Sequence, residues 1–174
     1  MEWERQYKMS KSTFVEIRDI NEYQKIYSYI YDNNDFLLDY GFLLYKNKRY
    51  DKSIQILSEG VQISNDPIFL ILIGMNYEKK HKYDLAESFY KEAFNRVPNR
   101  IHPLYRMALL YYKIKDKERF DTVAKKIMNF PIYKLEDVVA IIESKTSGVF
   151  SVKKDGEISD LKNEIVLIYQ STKN

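Results

Sequence analysis

The side chains able to do chemistry are few and scattered. The 174-residue chain has no cysteine, which removes disulfides, thiolate zinc sites and cysteine nucleophiles together. Its two histidines, His81 and His102, form no metal-ligand spacing. His81 sits in the turn sequence Lys80-His81-Lys82, where a solvated ring is expected. His102 precedes Pro103 at a helix start, where a local cap or a groove-lining role is expected. Asp32, Asp35 and Asp39 cluster, but Asp35 and Asp39 have the i,i+4 spacing of one helix face and Asp32 has the position of a helix cap. That pattern answers to helix structure before acid–base chemistry. No glycine-rich loop follows a strand, so no phosphate cradle is indicated. The expectation is a chain with no catalytic residue, no metal and no cofactor of its own.

Composition points the same way. Lys plus Arg number 28 and Asp plus Glu 25, a net charge of +3. This balance argues against a nucleic-acid partner, and the lysines from Lys145 to Lys154 are too dilute to change that. The longest apolar run, Ile68 to Met75, falls far short of the ~18 residues a membrane span needs. The N-terminus, Met1-Glu2-Trp3-Glu4-Arg5, is charged where a signal peptide turns apolar. Hydrophobic residues make up 45% of the chain, and sixteen tyrosines give it side chains suited to half-wet surfaces.

The elements that would position these residues repeat. Gly41 and Gly74 are 33 apart, as are Tyr50-Asp51 and Tyr83-Asp84, and Pro98 and Pro131; Trp3, Leu37, Leu70 and Leu104 step by 34, 33 and 34. A period near 34 without strand-like alternation is that of a helix–turn–helix repeat. The clearest unit is 67–100. Asp66 caps its first helix and Pro67 takes the first helical position, where its missing N–H costs nothing. Leu70, Ile73, Gly74 and Tyr77 mark that helix, Tyr83, Ala86, Tyr90 and Ala93 the second, and Pro98 ends it. Gly74 and Ala86 are small where two helices cross; Tyr77, Tyr90 and Ala93 are expected in the seam to the next repeat.

This unit resembles the tetratricopeptide (TPR) repeat. The resemblance implies an all-α, TPR-type α-solenoid with repeats at 34–66, 67–100 and 101–134. In the third, Phe120 stands at the usual small position and Ala124 at the usual large one. Residues 1–33 are expected to hold a degenerate repeat or flanking helices, including the stripe Ile20, Tyr23, Tyr27, Ile30. Residues 135–174 are expected to cap the array: a helix at 135–143, a loop or short β-ribbon at 145–158 turning at Asp155-Gly156, and a last helix started by Ser159 or Asp160.

In a solenoid of this type the first helix of each repeat lines the concave face. The resemblance therefore implies a ligand-binding groove of Leu38, Phe42, Tyr45 and Lys46; Ile71, Met75, Glu78 and Lys79; and Tyr105, Leu109, Tyr112 and Lys113. Lys46, Lys79 and Lys113 recur as a basic rim. Leu38 and Phe42 stand where a TPR carboxylate clamp for chaperone tails carries polar groups, so that ligand is not expected. A protein or peptide partner is expected, with a glycan stacking on the tyrosines as the alternative.

The stretches Asn33-Asn34-Asp35-Phe36-Leu37-Leu38-Asp39-Tyr40-Gly41 and Val97-Pro98-Asn99-Arg100-Ile101-His102-Pro103-Leu104-Tyr105, with Ile127-Met128-Asn129-Phe130-Pro131-Ile132-Tyr133-Lys134, are similar to the C-terminal TPR region of O-antigen ligase and polymerase-like membrane proteins of Gram-negative bacteria. That resemblance covers about residues 20–143 and implies a soluble, non-catalytic, periplasmic tail, with no membrane span and no catalytic residue in this chain. Taken by itself, the chain is expected to be a cytoplasmic TPR adaptor.

Overall fold

The computed structural model describes residues 20–130 and 157–172. Among them lie eight helices and no strand: α1 Ile20–Ile30, α2 Asn34–Lys46, α3 Tyr50–Ile63, α4 Pro67–Lys79, α5 Tyr83–Arg96, α6 His102–Lys113, α7 Lys117–Met128 and α8 Glu157–Ser171. The hairpins α2–α3, α4–α5 and α6–α7 fall in the three repeat spans and stack into an α-solenoid. Residues 1–19, 131–156 and 173–174 lie outside the described residues, and with them the N-terminal part of the expected degenerate repeat, the helix expected at 135–143 and most of the expected ribbon.

Short polar residues start several of these helices. Asp66 accepts a hydrogen bond from the Ile68 N–H at 3.0 Å, with Pro67 in the first turn. Asp116 accepts from the Arg119 N–H at 3.0 Å. At α2 the cap is Asn33, which accepts from the Phe36 N–H at 2.9 Å, and not Asp32 as the sequence suggested. The cap residue stands immediately before the first helical residue, where its side-chain oxygen reaches the N–H two or three residues on, and Asn33 holds that place.

The three turns inside the hairpins share one geometry. Lys48, His81 and Lys115 take φ of 60°, 58° and 61°. The next N–H in each case returns to the helix five residues back: Arg49 to Leu44, Lys82 to Tyr77 and Asp116 to Tyr111, each at 2.9 Å. This is the Schellman closure, which glycine fills at least cost. Here lysine or histidine bears the left-handed strain. Lys115→Gly is therefore expected to stabilise the fold by about 0.5–1 kcal/mol, the relief of strain exceeding glycine's unfolded-state entropy. A urea midpoint that rises with an unchanged slope would show it; an unchanged or lower midpoint would refute it.

The apolar core runs along the stack. One half centres on Tyr23, Phe36, Leu37, Ile56, Leu57, Phe69 and Leu72, the other on Tyr90, Leu104, Leu110, Tyr111, Phe120 and Ile127. Val61, Met75, Tyr77 and Phe89 touch both, so the halves are continuous. The α1 helix docks on α2 through Tyr23, which stacks on Phe36 and Tyr40 at ring distances of 5.2 and 5.5 Å. Phe120 and Ala124 are both buried. The larger ring at position 120 reaches out to Tyr112 of α6 and Tyr169 of α8, at 5.8 and 6.4 Å.

At the far end α8 packs on α7 and, beyond it, on α6. It thus takes the place of the first helix of a further repeat, since α4 packs on α3 and α2 in the same way. Ile165 is its buried contact. The helix begins at Glu157, so Glu157 and Ile158, expected as the second strand of a ribbon, are helical. Ile158 continues the 3-4-3 spacing of Leu161, Ile165 and Ile168, and that helical period carries α8 back to Glu157.

Candidate functional site

The first helices α2, α4 and α6 lie side by side, with α8 next in the row. Among the described helices, α1 packs on α2 and reaches α3 through the Tyr27–Glu59 hydrogen bond, and α8 packs on α6 and α7. Neither crosses the face shared by α2, α4 and α6.

That face carries a half-buried apolar strip. Leu38, Phe42, Tyr45, Met75, Tyr105 and Leu109 are all partly exposed. Phe42 and Tyr45, one turn apart on α2, stack at 6.1 Å with planes 19° apart, and the Lys46 ammonium lies 5.8 Å from the Phe42 ring. Ile71 is different: it is 3% exposed and belongs to the core, because α6 packs alongside α4 and closes over it. Tyr105 donates its hydroxyl to Glu164 of α8 at 2.8 Å. Burial and that carboxylate push its pKa up to about 12. Tyr112, 49% exposed, packs on Phe120 at the α6–α7 hairpin.

At the centre stands Glu78, 8% exposed. Its carboxylate accepts from the Tyr90 hydroxyl at 2.7 Å and from Arg106 Nη2 at 2.7 Å, while Lys113 Nζ lies 3.5 Å away. Arg106 also reaches the Tyr90 oxygen at 3.3 Å and lies 5.7 Å from its ring. Burial dominates the Tyr90 hydroxyl and holds it well above the ordinary tyrosine range. Tyr45 feels the same group: burial raises its pKa, the Arg106 charge opposes that, and Glu78 and Tyr50 add to it. Residues from α2, α4 and α6 are therefore brought within electrostatic reach of one another. His102, first residue of α6, has its pKa lowered by burial and by the charges of Arg106 and Arg100, which keeps the ring neutral at neutral pH.

The expected basic rim is divided in its partners. Lys113 leans on Glu78 and lies 5.3 Å from the Tyr83 ring, Lys46 covers Phe42, and Lys79 is exposed. A second ionic group lies one layer on. Glu87 accepts from the Tyr111 hydroxyl at 2.8 Å and from Arg119 Nη1 at 2.6 Å, and pairs with Lys91. Burial alone would raise the Glu87 pKa; the bonds from Lys91 and Tyr111 and the charges of Lys91 and Arg119 outweigh it and bring the pKa down.

Sequence reasoning missed Arg106. It lies between Tyr105 and Leu109 on the lining face, where it replaces Asp39 and Leu72 of the earlier repeats. Setting Glu78 of one first helix beside that position of the next would have paired them. Among the described residues, no group of three His, Cys, Asp or Glu is placed to hold a metal ion, and no helix is long and apolar enough to cross a membrane.

No family model matches the chain, and no curated protein matches it. Solved structures do. MamA aligns with a TM-score of 0.58 at 14% identity, over 87% of this chain and 82% of that one. PilF of Pseudomonas aeruginosa aligns at 0.55 and 20% identity, over 88% and 71%. The structure of a CopN–Scc3 complex aligns at 0.59 and 16% identity, over 97% and 99%. These are TPR-type helical repeat structures, and the fold of this chain is of that type.

Proposed function

We propose that the chain is a non-catalytic interaction module that takes a segment of a partner protein on the α2–α4–α6 face. The observation that carries this reading is the half-buried strip Phe42, Tyr45, Met75 and Leu109, which spans three repeats and is crossed by neither α1 nor α8. Aromatic side chains in such a strip offer large contact area at low entropy cost. The charges of Arg106, Lys46 and Lys113 beside it favour a segment that is apolar with acidic flanks.

Selection from a random peptide display library, followed by calorimetry of the enriched peptides, tests the reading. Phe42→Ala with Tyr45→Ala is expected to weaken binding by about tenfold or more, with the helical circular dichroism retained. Leu85→Ala, at an exposed position of α5, is expected to leave binding unchanged. Peptides that bind both variants equally would place the site elsewhere, and enrichment of glycans on an array in place of peptides would favour the carbohydrate reading.

The finer proposal, that the module is the periplasmic tail of a polysaccharide ligase or polymerase, rests on the sequence resemblance alone. The reading frame upstream of Met1 decides it: a continuous run of apolar spans supports the tail, and a stop codon leaves a cytoplasmic adaptor.

A further inference from the structure

The three hairpin turns concentrate positive charge in a way the overall balance conceals. They read Lys46-Asn47-Lys48-Arg49, Lys79-Lys80-His81-Lys82 and Lys113-Ile114-Lys115-Asp116-Lys117, so nine of the 28 basic residues fall within them. Outside these turns acidic residues outnumber basic ones. The shared φ near 60° and the shared closing bond make the turns equivalent. A stack of like hairpins sets equivalent turns along one edge, so the cations stand in rows.

Some of this charge is spent within the fold. Lys80 pairs with Asp51, Lys113 with Glu78, and Arg119 takes up Asp116. Lys48, Arg49, Lys79, Lys82 and Lys115 are exposed and make no ion pair among the described residues. Like charges set side by side without counter-charge repel one another, and an anionic partner relieves the repulsion.

We propose that this turn edge is a docking surface for an anionic phospholipid bilayer, separate from the α2–α4–α6 face. The partner must be extended and anionic, because each of the three turns carries at least one unpaired cation. Four of the five unpaired groups are lysine ammoniums, point charges on flexible stems that need no fixed partner geometry. The residues between the cations are Asn47, His81, half-buried Ile114 and Asp116, whose charge Arg119 takes up. They offer no exposed apolar wedge for insertion and no row of aromatic platforms of the kind that single-stranded nucleic acids stack upon. Contact is thus electrostatic and peripheral.

Co-sedimentation with phosphatidylcholine vesicles containing a third phosphatidylglycerol tests the proposal, against pure phosphatidylcholine. Binding to the anionic vesicles alone is expected, weakening steeply between low and physiological salt. Each neutralised cation is expected to cost about fivefold, so Lys48→Gln/Arg49→Gln/Lys82→Gln/Lys115→Gln lowers the partition coefficient on the order of a hundredfold or more. Lys25→Gln/Lys125→Gln/Lys126→Gln, at exposed sites on α1 and α7, is the control and is expected to lose little. Equal losses in the two variants, equal binding to both vesicle types, or tighter binding to single-stranded or duplex nucleic acid than to the anionic vesicles would overturn it. Circular dichroism of both variants certifies the fold. Peptide binding at the Phe42–Tyr45 strip is expected to persist in the turn variant, which separates failure of this proposal from failure of the groove reading.

Discussion

Gly60→Ala is expected to destabilise the chain by about 1–3 kcal/mol, although the same change in an open helix gains about 1 kcal/mol. A Cβ at Gly60 would lie 2.1 Å from Phe69 Cε1. Phe69 is 1% exposed and wedged in the core, so its ring has nowhere to retreat. The same holds at the crossings within repeats. A Cβ at Gly74 would lie 2.4 Å from Tyr90 Cε1, and one at Gly41 2.5 Å from Leu57. Tyr90 is additionally tethered through its hydroxyl to Glu78 and Arg106. Gly74→Leu is accordingly expected at or beyond the upper end of that range. Urea titration measures both: the midpoint falls while the slope stays constant. An unchanged or higher midpoint for Gly60→Ala would show that α3 and α4 have room to part.

The second large effect belongs to Glu78. Glu78→Ala leaves Arg106 21% exposed and without its carboxylate partner, its Nε already lacking a hydrogen-bond acceptor. Removing one partner of a buried pair costs about 3–5 kcal/mol. The exposure of Arg106 and the 43% exposure of the Lys113 side chain bring the expectation down to about 2–4 kcal/mol. Replacing both partners by leucine removes the stranded charge. Glu78→Leu/Arg106→Leu is therefore expected to be more stable than either single variant, with a coupling of at least about 1 kcal/mol. Additive losses in that cycle would show that solvent satisfies each charge alone.

Much of the scaffold was legible because its signals are local. The 33–34 residue spacing, the Asp66-Pro67 helix start and the small residues at 41, 74 and 86 all report constraints within one hairpin. The prediction that Tyr77, Tyr90 and Ala93 fill the next seam was only partly apt for Tyr90. Its ring covers Gly74 inside the repeat, and its hydroxyl meets Arg106 from the next one. Contacts between repeats were harder to read, because they depend on how far one first helix is offset from its neighbour. That offset decides that Ile71 is closed over, that Arg106 meets Glu78, and that Tyr45 comes under the influence of both. The helix start at Glu157 was hidden by Asp155-Gly156, a turn signal that serves a hairpin and a helix entry alike.

The order in which helices touch has a consequence for synthesis. Among the described helices, each packs only on the next one or the next but one. The hairpin α2–α3 can therefore close while α6 and α7 are still unmade, because none of its packing waits on distant chain. Little loop-closure entropy stands in the way. Growth by addition leaves one raw apolar flank at every stage, passed forward from each new hairpin to the following one. Among the described helices, α8 is the one that takes over that flank from the α6–α7 hairpin.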